Sequence, residues 1–104
     1  MATKGPTPDI LGGRLYTESS VSASLSTGST TFASSMATGV LYILAADVDW
    51  HWHQGGSGVT ASSSTDFIMA AFAEREVWCD GTDSSQIAGA LESGTGKMYR
   101  KAVR

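Results

Sequence analysis

The chain has 104 residues, 16% of them charged, with a net charge of -3 and a hydrophobic fraction of 41%, a size that predicts one domain with a modest core. Much of the hydrophobic fraction is alanine, but low charge together with three Trp, three Tyr and three Phe excludes the composition of a disordered chain. A pI near 5.1 argues against a nucleic-acid partner, which calls for a clustered basic face, and no apolar run approaches the roughly 20 residues needed to span a bilayer.

Residues 1–20 combine Pro6 and Pro8 with Gly5, Gly12 and Gly13, which disfavours helix and central strand and predicts an extended N-terminal arm. The arm carries Ile10, Leu11, Leu15 and Tyr16, apolar enough to dock on a neighbouring subunit. It lacks the apolar core of a secretory signal, so a soluble product is expected. From Val21 the pattern alternates strictly: Val21, Ala23 and Leu25 on one face, Ser22, Ser24 and Ser26 on the other. This predicts a half-buried strand, a turn at residues 26–28 and a short return strand from Thr30.

Residues 40–53, VLYILAADVDWHWH, are the most informative stretch. The even positions Val40, Tyr42, Leu44, Ala46, Val48, Trp50 and Trp52 are all apolar or aromatic. The odd positions run Leu41, Ile43 and Ala45, then Asp47, Asp49, His51 and His53. A period of two sorts these residues cleanly where a helical period would scatter them. One long strand, or two joined by a bend near Ala46 and Asp47, is predicted. Val40, Tyr42, Leu44, Val48, Trp50 and Trp52 form its core spine, and Leu41 and Ile43 lie on a face available to a subunit boundary.

A Gly/Ser-rich surface loop follows over residues 54–66. Then come FIMAAF (67–72), EREVWC (74–79), a turn at 80–83, a strand with Ile87, Gly89 and Leu91 facing one way, a turn at 93–96 and KMYRKAV (97–103). The last two strands are expected to form a hairpin. No segment has the length and caps of a helix, AAFAERE included. The prediction is all-β: a small β-sandwich or barrel over residues 21–104, preceded by the arm.

Chemistry is sparse in this pattern. His51 and His53 share a strand face with Asp47 and Asp49, but four residues in one extended row span about 20 Å and do not converge on one cation; no metal is expected. The i, i+2 carboxylate pairs Asp47/Asp49 and Glu74/Glu76 are common on solvated strands, although such residues stand roughly 7 Å apart, between the two glycosidase separations. Gly55 to Gly58 precede no helix that would hold a phosphate, and no G-x-S-x-G elbow is present. Cys79, the single cysteine, forms no internal disulfide and reads as core. The basic residues Lys97, Arg100, Lys101 and Arg104 read as a solvated or inter-subunit strand. Neither a catalytic centre nor a cofactor is expected.

The segment Ala46 to His51 (ADVD-x-H), the Ser64-Thr65-Asp66 loop end before an apolar strand reaching Phe72, the strand around Glu76, Val77 and Trp78, and the closing stretch from Ile87 to Val103 together resemble small β-sandwich or barrel structural proteins of tailed bacteriophages. The resemblance covers about 60 residues and is one of order and composition. The Trp50-His51-Trp52-His53 run has no counterpart in it, and the closing stretch is less hydrophobic than in those modules. It implies a non-enzymatic virion protein, made in the host cytoplasm, that decorates or cements the head or sits at the neck or tail. The implied partners are further copies of the chain, as in a homotrimer, and the major capsid protein or other virion proteins, without nucleic acid or membrane. A carbohydrate- or receptor-binding module, using exposed Trp side chains, is the alternative of a different class.

Overall fold

The computed structural model describes residues 20–103. The arm residues Pro6, Pro8, Ile10, Leu11, Leu15 and Tyr16 lie outside that range. Eight strands follow in order: β1 (Val21–Leu25), β2 (Thr30–Thr31), β3 (Val40–Ala46), β4 (Trp50–Gly55), β5 (Phe67–Met69), β6 (Arg75–Cys79), β7 (Gln86–Ala90) and β8 (Gly96–Val103). Among the described residues the helical content is one 3-10 turn, Thr82–Ser84.

Two four-stranded sheets form, sheet I in the order β1-β8-β3-β6 and sheet II in the order β2-β7-β4-β5, with every pairing antiparallel. The chain changes sheet at every connection except β4 to β5. This is the strand order of a jelly roll, and it refines the expected sandwich.

The predicted bend at Ala46 and Asp47 is therefore an arch between sheets. It preserves parity, so Tyr42, Leu44 and Ala46 from β3 and Trp50 from β4 all point into one interior, where each is buried. Val40, Val48 and Trp52 are partly buried against them, with Trp50 and Trp52 stacked at a ring separation of 6.4 Å. Leu25, Phe32, Met36, Val77, Ile87, Leu91 and Met98 complete the core, and Cys79 is fully buried in it.

Gly89 is crowded by side chains from both sheets. A Cβ there would stand 2.7 Å from Leu25 Cδ2 and 2.9 Å from both Met98 Sδ and Trp50 Cε3. Gly89→Ala is expected to overpack this point and cost about 1–3 kcal/mol, read as a lower midpoint in urea unfolding.

Three expectations need correction. Residues 93–96 do not close a hairpin: β7 pairs with β2 and β4, whereas β8 pairs with β1 and β3. Parity cannot separate a hairpin from an arch, because both bury Leu91 and Met98. The short return strand β2 likewise pairs with β7, across from β1. Finally, Ile43 is not an open boundary residue; it stands opposite Glu76 and Lys101 and keeps only 6% of its surface, while Leu41 is half-buried.

Candidate functional site

The odd-numbered face of β4 carries His51 and His53 on the outside of sheet II, opposite Ala90 and Ala88 of β7. Those alanines are buried by Ala61 and Val59. The Gly/Ser-rich loop is thus folded back onto the sheet, where small side chains let its backbone approach. The Ala61 amide donates to Ser29 Oγ at 2.9 Å, and the Ser62 amide donates to Asp66 Oδ2 at 2.6 Å, closing the loop end.

Asp66 ties this loop to both histidines. His53 Nδ1 donates to Asp66 Oδ1 at 3.1 Å, and His51 Nδ1 donates to the Asp66 carbonyl at 2.9 Å. His51 Nε2 lies 3.1 Å from Glu92 Oε2. Both ring nitrogens of buried His51 therefore face acceptors, an arrangement that only the imidazolium satisfies fully. Its pKa is raised, chiefly by the bond to the Asp66 carbonyl; burial opposes this, and the Glu92 bond and charge add to it. Asp66 is lowered, chiefly by the Ser62 amide and then, against burial, by His53 and His51.

These directions fix a pH dependence. The contribution of His51 is complete below its ordinary value of 6.5 and is lost as pH rises through its higher folded value. That of Asp66 is complete above its ordinary 3.8 and is lost as pH falls through its lower folded value. Loop closure is expected to be tightest between these limits. Melting temperature should fall as pH rises from 6.5 toward 8.5, and His51→Gln should flatten the decline. A slope unchanged in that variant would remove His51 charging from the account.

The other predicted chemical residues serve the arches. Asp47 Oδ1 accepts from the Lys97 amide at 2.9 Å, and Asp49 Oδ1 accepts from the Ala71 amide at 2.8 Å. The two carboxylates thus clamp separate loops. Among the described residues no three His, Cys, Asp or Glu side chains converge as a ligand set.

What the sequence reading missed is apolar and exposed. The FIMAAF stretch reads as an apolar strand; in the structure β5 is a three-residue edge strand with Phe67 82% and Ile68 61% exposed, and Phe72 beyond it is 77% exposed. Phe72 adopts φ 64°, a left-handed conformation rare for a bulky residue. Its amide donates to Ala46 O at 2.7 Å, and the neighbouring Ala71 amide is held by Asp49. The ridge over residues 67–72 is therefore pinned to the arch while its rings point to solvent. Beside it lies a depression of ≈ 430 Å³ lined by Trp52, His53, Gln54, Thr65, Asp66 and Phe67. Trp78, on the outer face of sheet I, is 53% exposed, whereas Trp50 is fully buried.

No protein-family model and no curated protein matches this chain. Among solved structures, the solution NMR structure of a de novo designed double-stranded β-helix is similar, with a TM-score of 0.55 and 9% identity over 84% of this chain and 100% of that one. The likeness is one of fold.

Proposed function

We propose that the chain is a non-enzymatic, self-associating virion structural protein, a head decoration or cement protein that binds the capsid shell. The observation that carries the association reading is the exposure of three large apolar side chains within six residues at the edge of sheet II: Phe67 and Ile68 on the two faces of β5, and Phe72 held beyond it by the Ala46 carbonyl. Exposed apolar side chains grouped on a rigid support mark contact surfaces, and rigid aromatics are frequent anchors of interfaces. A bulky residue held at positive φ with its ring in water also suits a functional constraint better than a packing one. The virion assignment rests on the sequence resemblance and on the use of jelly rolls in viral capsids, which is analogy at the level of fold.

Sedimentation velocity is the direct test. The chain is expected to form a defined oligomer and to bind purified capsid shells, and Phe67→Ser/Phe72→Ser to abolish both with little change in melting temperature. A monodisperse monomer that leaves shells unbound overturns the proposal.

One observation favours a carbohydrate-binding reading in second place. The depression beside Phe67 combines aromatic walls with the His53–Asp66 pair and Gln54, the mixture of stacking surface and hydrogen-bonding groups that holds sugar rings. Glycan-array binding lost in Phe67→Ser, by a chain that stays monomeric, would select it.

A further inference from the structure

Among the described strands, β1 and β6 border sheet I, and β2 and β5 border sheet II. An open edge is a template for pairing with another chain, and folded proteins blunt it with charge, cover or shortness. β2 is only two residues long, and β1 sets small serines between its apolar residues. β6 carries exposed Arg75 and Glu76, and the Gln54 side-chain amide donates to its Trp78 carbonyl at 2.9 Å. β5 is guarded only by its length of three residues. The run FIMAAFA over residues 67–73 holds no charge, and Phe67 and Ile68 are both exposed.

Successive residues of a strand point to opposite faces. Phe67 stands opposite Trp52, and Ile68 stands opposite His51. A partner laid on one face of sheet II would cover Phe67 or Ile68 and leave the other wet, whereas a strand added alongside β5 flanks both. We propose that β5 pairs edge to edge with β5 of a second copy, antiparallel about a two-fold axis, joining two four-stranded sheets into one. This inference rests on the self-association reading above and names its contact.

The strand is complementary to itself, as a two-fold contact requires. An axis at Ile68 sets that residue against Ile68 of the second copy and Phe67 against its Met69, so apolar side chains meet on both faces and no like charges face each other. Area supports the same occupant. Phe67 and Phe72 together leave roughly 300 Å² exposed per copy, so the symmetric contact gathers about half of the 1,200 Å² that a small stable interface buries before Ile68 and the backbone are counted. Three residues form few hydrogen bonds, so these side chains carry most of the affinity.

Cross-linking of the full chain tests the register. The axis brings the two Ile68 Cα atoms to about 4.5–5.5 Å, within disulfide reach, and the native Cys79 is buried. With oxidised glutathione, Ile68→Cys is expected to form a covalent dimer about tenfold faster than Phe72→Cys, because only the former is held against its own copy. Ile68→Lys is expected to raise the dimer dissociation constant more than about tenfold in sedimentation velocity, with the circular dichroism of the monomer unchanged. Association that survives Ile68→Lys, with no faster cross-link in Ile68→Cys, would overturn the edge contact and leave self-association to another surface. A chain that stays monomeric at every concentration overturns both readings. A monomer whose β5 amides gain exchange protection only on capsid shells would give the edge to a capsid partner, and the second copy would be wrong.

Discussion

Trp50→Ala is expected to lower stability by about 3–5 kcal/mol, in the range for emptying a large aromatic site in a packed core. Trp50 is fully buried, stands opposite Met69, stacks on Trp52 and approaches the plane of Gly89. It therefore fills the space where the two sheets meet. The β3–β4 arch limits how far the sheets can collapse onto the vacancy, which places the cost toward the upper end. For a domain of this size the loss corresponds to a fall of at least about 12 °C in melting temperature. Trp50→Phe should recover more than half of it. The indole Nε1 is buried without a partner, so the smaller ring gives up no hydrogen bond. Equal losses for Ala and Phe, measured by urea unfolding, would contradict the packing account.

Arg100→Ala is the second large effect, expected at about 2–3 kcal/mol. Arg100 is buried and faces inward from β8, with its guanidinium 5.1 Å from the Phe32 ring and 5.4 Å from the Tyr42 ring. Nη1 donates to Ser34 O at 2.6 Å, and Nη2 donates to Ser34 Oγ at 2.9 Å. The side chain thus pins the β2–β3 connection to sheet I. Two opposing terms set the magnitude. Desolvated cation–π contacts and charged hydrogen bonds stabilise by a few kcal/mol, while burial of the charge offsets part of that gain. Among the described residues no carboxylate is paired with this guanidinium, so its removal orphans no opposite charge. The cost therefore falls below the usual 3–5 kcal/mol for a broken buried ion pair. Arg100→Lys should cost nearly as much as Ala, because an ammonium cannot lie flat between two rings while bonding two groups of one loop. Arg100→Met should cost less, since it keeps the stem and sheds the desolvation. A lysine variant as stable as wild type would refute this reading.

The spine was legible in residues 40–52 because period-two parity survives an arch: Tyr42, Leu44, Ala46 and Trp50 face inward whichever sheet each strand joins. For the same reason sheet membership was hidden. Whether residues 93–96 turn back beside β7 or cross to β1 and β3 depends on partners 50 or more residues away. The exposure of the ridge was not legible because an apolar run looks the same in a core and at an edge; only the shortness of β5 and its place at the end of sheet II expose it. The histidine face was legible, but its anchors were not. Asp66 is 13 residues beyond His53, and Glu92 is 41 beyond His51, separations over which sequence alone offers no register.

The strand order has a consequence for how the chain is made. β8 lies between β1 and β3 in sheet I, so among the described strands β1 has no sheet partner until β8 has emerged from the ribosome. Vectorial synthesis therefore cannot complete sheet I from its start, and folding waits on long-range closure, which is intrinsically slow. During that wait β1 stays unpaired, and its sequence VSASL is suited to the interval. Every second residue is a small hydroxyl, which keeps the waiting strand poorly adhesive until β8 arrives to claim it.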